Sequence, residues 1–347
     1  MTDKHSRPLA GSVNTGTGIR PIAVYTDAED IDPTSGIELL RSAGFEVRFL
    51  ESQDPDVIVD GAHDAQALLV GYASISAEMI SRLPNLKVIS LISMGFNNVD
   101  IAAATAGGIW VTNLPGVATE EVATHALTLA LASTRNLPFY RHSLSDDGWI
   151  VRPPTAPPRL SEATLGIVGL GRIGTRFGAM ASRVFSKVIG YDPLLPDTAE
   201  TAHRLEVADI NRTSLDEVLQ TSHVVSLHSP LTDNTYRMIN AESLAQMQQG
   251  SFIINVSRGQ LIDSHALRKA LDSGWIAGAA VDVLDIEPPP ADHPLLGDCP
   301  NIIVTPHIAF LSDRTEKDYV RVQAENVLNW YKEGRPAHPV NTMEEVS

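Results

Sequence analysis

The chain has 347 residues, a formal net charge of −16 and a single cysteine. This length predicts two domains, each large enough to bury its own core. The acidic balance disfavours nucleic acid and anionic membranes as partners. One cysteine excludes an intrachain disulfide framework and suits a reducing cytoplasm, which is the predicted location. No apolar run reaches the roughly 18 residues of a membrane span. Residues 1–20 have charges but no apolar stretch, which predicts a disordered tail rather than a signal peptide.

The first folded part of the chain, residues 21–115, alternates short β-branched runs with helical patterns. A helix is predicted over 34–43 and stops at Gly44. The predicted strands are 22–25, 45–50, 67–70, 86–90 and 109–112. This alternation indicates a parallel sheet with helices on both faces.

A long helical pattern follows over residues 119–136. Val122, Ala126 and Leu129 share one face, and Leu131 widens the apolar surface beyond a single stripe. Two interpretations stay open for this helix. It is either fully buried in one subunit or part of a subunit interface.

A second α/β unit is predicted over residues 163–306. Its predicted strands are 164–168, 187–191, 223–227, 251–255, 278–283 and 302–304. A last helix is predicted to start near Ser312 or Asp313, with Glu316 at capping-box spacing from Asp313, and to end at Gly334. Because this helix follows a complete second unit, we expect it to pack on the first one.

The stretch G-L-G-R-I-G at residues 169–174 ends an apolar β-branched run and opens a helical segment. In this strand–turn–helix context the motif predicts dinucleotide binding. The first glycine permits the tight turn, the second lets the backbone approach a pyrophosphate, and the third lets the helix pack closely on the strand. The candidate contacts are Gly169, Gly171, Arg172, Ile173 and Gly174.

An acidic residue ends the next predicted strand, where a carboxylate would meet the adenosine ribose hydroxyls. Asp192 follows Gly174 by 18 residues. Pro193, Leu194 and Leu195 come next and offer no positive charge to a 2′-phosphate. The sequence therefore predicts a preference for NAD over NADP.

Three polar residues follow consecutive predicted strands of the second unit. Arg258 comes after 251–255, Glu287 after 278–283 and His307 after 302–304. Ligands of parallel sheets bind beyond the carboxyl ends of the strands, so all three could point towards one crevice with the nicotinamide. Alone, Arg258 or Glu287 would be interpreted as a surface charge and His307 as a structural histidine. The three together predict a catalytic site.

From Leu86 to Asn341 the sequence resembles the D-isomer-specific 2-hydroxyacid dehydrogenases. The motifs that carry the resemblance are M-G-F-N-N-V-D (94–100), T-N-L-P-G (112–116), G-L-G-R-I-G (169–174), Y-D-P (191–193), L-H-S-P-L-T-D-N-T (227–235), N-V-S-R-G (255–259), A-V-D-V (280–283), I-E-P (286–288) and T-P-H-I-A (305–309). The segment T-P-H-I-A-F-L-S is most similar to the branch with C-terminal-binding-protein-like and phosphoglycerate-dehydrogenase-like members.

The resemblance implies an α/β fold of two doubly wound parallel-sheet domains, with the chain crossing between them twice. A flavodoxin-like substrate domain would comprise 21–115 and 308–341. A Rossmann NAD-binding domain would comprise 116–307, with helix 119–136 as the dimer element of a homodimer. The implied activity is NAD-dependent interconversion of a D-2-hydroxy acid and its 2-keto acid, with no metal.

The family roles fall on the residues already singled out. His307 would be the acid/base, Glu287 would orient it, and Arg258 would bind the substrate carboxylate. The loop 94–98 would add backbone N–H donors. Further implied cofactor contacts are His228, Pro230, Thr235, Val256 and Asp282, of which Asp282 would meet the nicotinamide carboxamide. For His228 a structural role at the strand end remains equally open.

Some features point away from particular relatives. Residues 91–98 contain no Lys or Arg, which disfavours a phosphorylated substrate. Met94, Gly95, Phe96 and Phe310 suggest a pocket that accepts an aliphatic or aromatic substituent. The rival functional class is an NAD(H)-sensing, corepressor-like protein, and a third possibility is a relative that acts on formate or phosphite.

Overall fold

A computed structural model describes residues 20–343, except 29–30, 147–148, 150–151 and 154. Residues 1–19 of the predicted tail lie outside the described residues. The chain divides into two compact units. Unit 1 contains the residues up to Val117 and those from Ser312 onward, and unit 2 is Ala118–Leu311.

Unit 1 is built on a parallel sheet. Its strands are β1 (Ile22–Tyr25), β2 (Glu46–Phe49), β3 (Ala67–Val70), β4 (Val88–Leu91) and β5 (Trp110–Thr112). They lie in the order β2-β1-β3-β4-β5, which is the flavodoxin-like order. All residues of β1, β3 and β4 are buried, as expected of strands that helices cover on both faces. The predicted doubly wound fold is confirmed.

Side-chain caps define several helix starts in unit 1. The helices are α1 (Thr34–Ser42), α2 (Pro55–Ala62), α3 (Ala77–Ser81), α4 (Ile101–Ala106) and α12 (Thr315–Glu333). Asp54, Ser76 and Asp100 accept hydrogen bonds from first-turn N–H groups of α2, α3 and α4. Each cap satisfies N–H groups that a helix N-terminus leaves unpaired.

Helix α12 packs its apolar stripe on the sheet of unit 1. Ala324, Val327 and Leu328 share a buried cluster with residues of β1, β3 and β4. The predicted start at Ser312 or Asp313 is wrong, because the helix begins at Thr315. The reciprocal hydrogen bonds join Ser312 with Thr315, one residue before the predicted Asp313–Glu316 box. The helix ends at Gly334, whose φ of 74° is left-handed.

Unit 2 contains the second parallel sheet. Its strands are β6 (Thr164–Val168), β7 (Lys187–Tyr191), β8 (Asn211–Arg212), β9 (Val224–Leu227), β10 (Ser251–Asn255), β11 (Ile276–Val281) and β12 (Ile302–Val304). The order is β12-β11-β10-β9-β6-β7-β8. Counted from β6, this is the Rossmann order with one strand added beyond the sixth, so the predicted Rossmann fold is confirmed.

The helices of unit 2 include the long predicted helix. They are α5 (Thr119–Thr134), α6 (Leu137–Asp146), α7 (Arg172–Ala181), α8 (Ala199–Val207), α9 (Leu215–Thr221), α10 (Ala241–Gln246) and α11 (Ser264–Asp272). The buried face of α5 packs on β10, β11 and α7. Within the described residues, every helix falls short of the length and apolarity needed to span a bilayer.

Candidate active site

The glycine-rich turn after β6 leaves open space at the start of α7. Gly169 has φ +99°, and a Cβ there would lie 2.6 Å from the His228 carbonyl carbon. A Cβ on Gly174 would lie 2.0 Å from the Gly169 carbonyl oxygen. By contrast, a Cβ on Gly171 would meet no atom within 4 Å, and no side chain caps α7. The turn thus fits a pyrophosphate, which would approach the open helix N-terminus.

Asp192 ties this turn to the end of β7. Its Oδ2 accepts a hydrogen bond from the Leu170 N–H at 2.9 Å, and its Oδ1 accepts one from the Leu194 N–H at 2.9 Å. Each carboxylate oxygen has a second lone pair, so the group can still accept hydrogen bonds from ribose hydroxyls.

Two arginines that the sequence analysis missed lie around Asp192. Arg212 of β8 donates to the carbonyl oxygen of Asp192 at 3.2 Å and to that of Leu195 at 2.9 Å. Arg204 of α8 donates to the Leu170 carbonyl oxygen at 3.3 Å. Arg204 follows Asp192 by 12 residues and Arg212 follows it by 20. No signal in the sequence pointed to Arg212, because only the pairing of β8 with β7 brings it beside Asp192.

The loop after β9 holds a neutral histidine. Burial lowers the pKa of His228 to about 3. Its Nε2 lies 2.9 Å from the Ser226 hydroxyl, and its ring centroid is 5.0 Å from that of Phe177. Nδ1 is buried and has no hydrogen-bond partner among the described residues. In the same loop, the Thr235 hydroxyl donates to the Pro230 carbonyl oxygen at 2.7 Å.

Arg258, Glu287 and His307 follow three neighbouring strands, β10, β11 and β12. His307 Nδ1 donates a hydrogen bond to Glu287 Oε2 at 2.7 Å. The Leu284 N–H donates to the other carboxylate oxygen, Oε1, at 2.7 Å. Arg258 sits in a turn that Asn255 fixes, because Asn255 Nδ2 donates to the Arg258 carbonyl oxygen at 2.9 Å.

The charges of this site influence one another. Burial alone would raise the pKa of Glu287, but the hydrogen bond and charge of His307, with help from Arg258, hold it below its usual range. Burial lowers the pKa of Arg258, and the Glu287 carboxylate opposes that shift. A guanidinium remains charged at neutral pH despite such a shift.

The outer nitrogen of His307 is open for chemistry. The side chain is 48% exposed, and Nε2 has no hydrogen-bond partner among the described residues. The backbone φ of His307 is 55°, a left-handed conformation that is rare for a residue with a side chain. The neighbouring structure therefore has to hold this residue in place.

Asp282 holds the His307 loop. Its carboxylate accepts hydrogen bonds from the Thr305 hydroxyl at 2.5 Å, from the Ile308 N–H at 3.0 Å and from the Ala309 N–H at 2.9 Å. His125 of α5, which the sequence analysis did not single out, reaches this group, with Nε2 3.2 Å from Thr305 Oγ1. Only its position on α5, beside an apolar face, was visible in the sequence.

In unit 1, the predicted carboxylate-binding loop exposes backbone N–H groups. Asn113 Nδ2 donates to the Met94 carbonyl oxygen and Ser93 Oγ to the Gly95 carbonyl oxygen, both at 2.7 Å. The N–H groups of Met94, Gly95 and Phe96 have no partner within the described part of the chain. Phe96 is 42% exposed. In unit 2, Phe310 is half-buried.

Comparison with known proteins decides the family. Residues 127–309 match the family described as D-isomer specific 2-hydroxyacid dehydrogenase, NAD binding domain. A glyoxylate reductase of Thermofilum pendens is 37% identical over 90% of this chain and 92% of its own length. The chain belongs to the D-isomer-specific 2-hydroxyacid dehydrogenase family. The predicted resemblance is therefore confirmed, and so is the assignment as an oxidoreductase of the 2-hydroxyacid dehydrogenase class.

Two solved structures of this fold contain different cofactors. A D-lactate dehydrogenase of Aquifex aeolicus, complexed with NAD and lactic acid, is 26% identical, with a TM-score of 0.79 over 91% of this chain and 98% of its own. An NADPH-dependent glyoxylate/hydroxypyruvate reductase of Sinorhizobium meliloti, in complex with NADP and malonate, is 28% identical, with a TM-score of 0.80 over 93% and 97%. Family membership thus gives a nicotinamide dinucleotide as the cofactor class without choosing between NAD and NADP.

Proposed function

We propose that the protein reduces a small 2-keto acid to the D-2-hydroxy acid with NADH and catalyses the reverse oxidation. The observation that carries this proposal is the state of His307. One ring nitrogen is bound to Glu287 at 2.7 Å, and the other has no partner among the described residues. A paired and half-exposed imidazole is the arrangement that general acid–base catalysis requires.

Each of the three residues has a separate task in this mechanism. The bound dinucleotide supplies or accepts the hydride. His307 Nε2 donates a proton to the carbonyl oxygen in reduction and takes it back in oxidation, which an imidazole can do near neutral pH. Glu287 accepts the Nδ1–H, which fixes the tautomer and stabilises the protonated ring. Arg258 binds the substrate carboxylate through its planar fork.

The proposed substrate is small and carries one carboxylate. Residues 91–98 have no Lys or Arg, so this segment offers no cationic side chain to a phosphate, and a phosphorylated substrate is disfavoured. The N–H groups of Met94, Gly95 and Phe96 are assigned to the substrate carboxylate, and Phe96 and Phe310 to its substituent. Since a similar protein is named glyoxylate reductase, glyoxylate and hydroxypyruvate are the first compounds to test.

NAD is proposed as the preferred form of the cofactor. The carboxylate of Asp192 would accept hydrogen bonds from both ribose hydroxyls and would repel a 2′-phosphate. Arg204 and Arg212 already donate to backbone carbonyl oxygens of the chain. Gly169, Gly171, Arg172, Ile173, Gly174, His228, Pro230, Thr235, Val256 and Asp282 are proposed to line the rest of the site.

We propose that the two units have different roles. Unit 1 would be the substrate domain and unit 2 the NAD-binding domain. A homodimer is proposed to form through α5 and α6, where an open groove is lined by Thr128, Leu131, Ala132, Arg135, Leu137 and Tyr140. Leu137 is 56% exposed and Leu144 is 57% exposed, as expected of residues that a partner covers.

The proposal is tested by following NADH absorbance with glyoxylate, hydroxypyruvate, phenylpyruvate and branched-chain 2-keto acids, and by determining product chirality. We expect oxidation with a kcat/KM of about 10⁴ M⁻¹s⁻¹ or more for at least one compound, and a D-configured product where the product is chiral. Tight NADH binding without turnover would contradict the proposal and favour an NAD(H)-sensing protein.

A further inference from the structure

The loop that carries Glu287 is irregular and largely exposed, but buried residues anchor its two ends. It runs from Leu284 to Leu295 without a helix or strand. Leu284 is 6% exposed, His293 4% and Leu295 2%. Where such a loop has no helix or strand, side-chain hydrogen bonds have to fix its course.

The Asp285 carboxylate accepts two of these hydrogen bonds. Asp285 Oδ1 accepts from the Ser264 hydroxyl at 2.7 Å and from His293 Nε2 at 2.8 Å. His293 Nδ1 accepts from the Leu295 N–H at 3.2 Å. A backbone N–H can only donate, so Nδ1 is the acceptor for Leu295 and Nε2 is the donor to Asp285. His293 thus connects the start of the loop to its end.

The connectivity excludes a hydrolase triad, although the residue types are the same. In such a triad the serine donates to the histidine, which donates to the carboxylate. Here Ser264 and His293 both donate to the same oxygen of Asp285. The His293 side chain is also only 2% exposed, so no substrate reaches it. The cluster holds the chain in place and is not itself a reaction centre.

The same loop presses against the turn that carries Arg258. Gln260 Nε2 donates to the Asp285 carbonyl oxygen at 3.0 Å. A Cβ on Gly259 would lie 1.9 Å from the Leu284 carbonyl carbon, so the two backbones touch. The Leu284 N–H in turn holds Glu287 Oε1 at 2.7 Å. A shift of the loop at Asp285 would therefore move both Glu287 and the Arg258 turn.

We propose that Ser264, Asp285 and His293 are positioning residues that orient Glu287 towards His307 and keep it aligned with Arg258. This inference rests on the proposed function, since it assigns the network to that reaction. None of the three residues touches substrate or cofactor. Their effect passes through Leu284 and the Glu287 carboxylate.

The test compares His293→Ala, which removes both hydrogen bonds, with His293→Gln, which keeps a donor for Asp285. Ser264→Ala removes one bond with little change in volume and serves where His293→Ala fails to fold. The control is His265→Ala, an exposed histidine next to Ser264 on α11. For each variant we would measure NADH affinity by fluorescence, the melting temperature, kcat and KM for glyoxylate, and the pH profile.

In His293→Ala we expect kcat to fall by about 10²-fold, the cost of a small misplacement of catalytic groups. NADH affinity should stay unchanged, and the alkaline limb of reductase activity should move to lower pH, because a displaced carboxylate no longer stabilises protonated His307. His293→Gln should recover much of the loss, and Ser264→Ala should shift the profile in the same direction. His265→Ala should behave as wild type.

A lower melting temperature with unchanged kcat and an unmoved pH profile would overturn the inference, because the network would then serve stability alone. If the wild-type protein itself turned over none of the 2-keto acids, the proposed function would fail first. The two failures are distinguished by the activity of the wild-type protein.

Discussion

At the scale of single residues, the site depends on a carboxylate that is ionised because of its neighbours. The pKa of Glu287 is lowered by His307 and Arg258 against the opposing effect of burial. The lowered pKa keeps the Glu287 carboxylate ionised at neutral pH, where it accepts the Nδ1–H of His307. In the proposed mechanism, protonated His307 is the proton donor in reduction. The proposed role of Glu287 therefore includes its charge as well as the orientation of His307.

Replacing Glu287 by Gln should separate these two contributions. The amide can still accept a hydrogen bond from His307 Nδ1 but carries no charge. Reductase kcat/KM should fall by up to about 10²–10⁴-fold, the range of general acid–base catalysis. The alkaline limb should also move to lower pH, because the charge that favours the protonated ring is gone. The measurement is kcat/KM against pH, and an unmoved limb would contradict a role for the Glu287 charge.

Asp192 is the residue proposed to favour NAD over NADP. Asp192→Ala should lower the ratio of NADH to NADPH affinity by about tenfold or more, or roughly 1.4 kcal/mol. The variant also loses two backbone hydrogen bonds, so both affinities should decrease and the ratio is the informative quantity. Exposed Asp197→Ala is the control. An unchanged ratio would show that Asp192 does not meet the ribose.

At the scale of elements, buried parallel strands were the most predictable feature. β1, β3, β6, β7, β10 and β12 have the predicted bounds, because each is a continuous run of mostly apolar residues. β8 escaped prediction because Asn211 and Arg212 are polar and exposed, and only pairing with β7 makes them a strand. Helix α5 ends two residues early, before Asn136 with its positive φ of 56°.

Gly169 and Gly334 both have positive φ and make a matched pair of positions for testing the glycine turn. Gly334→Ala has open space around the new Cβ and should cost about 1 kcal/mol of folding free energy from backbone strain alone. Gly169→Ala adds a clash with the backbone at His228. It should therefore lose more stability and also weaken NADH binding.

Thermal or urea unfolding and NADH titration of both variants check this expectation. NADH affinity should be unchanged in Gly334→Ala. Equal stability losses and equal NADH affinities in the two variants would contradict this expectation. The close approach of the turn to the end of β9 would then affect neither stability nor NADH binding.

At the scale of the whole molecule, the sequence revealed the sheets and the three strand-end residues but not the side chains that hold them. Arg258, Glu287 and His307 could be found because each follows an apolar strand. His293 could not, because it lies in a loop and follows no strand. His125 and Arg212 could not either, because each acts on a partner at least 17 residues away along the chain. Thr305, for example, is 180 residues from His125. Only the folded arrangement shows such pairs.

The proposed homodimer predicts a specific defect. Leu137→Glu places a charge in the α5–α6 groove and should convert the protein to a monomer in sedimentation velocity, because burying an unpaired charge is costly. Val207→Glu, at a position on α8 that is 71% exposed, is the control and should leave the oligomeric state unchanged. A Leu137→Glu variant that sediments as wild type would place the interface elsewhere or exclude it.

The most direct test of the account is the turnover of His307→Ala against wild type, with NADH affinity measured on the same samples. We predict that 2-keto acid reduction falls by about 10²–10⁴-fold, because the proton donor is lost, while NADH binding remains intact. Near-normal turnover would remove His307 from the mechanism and contradict the central claim.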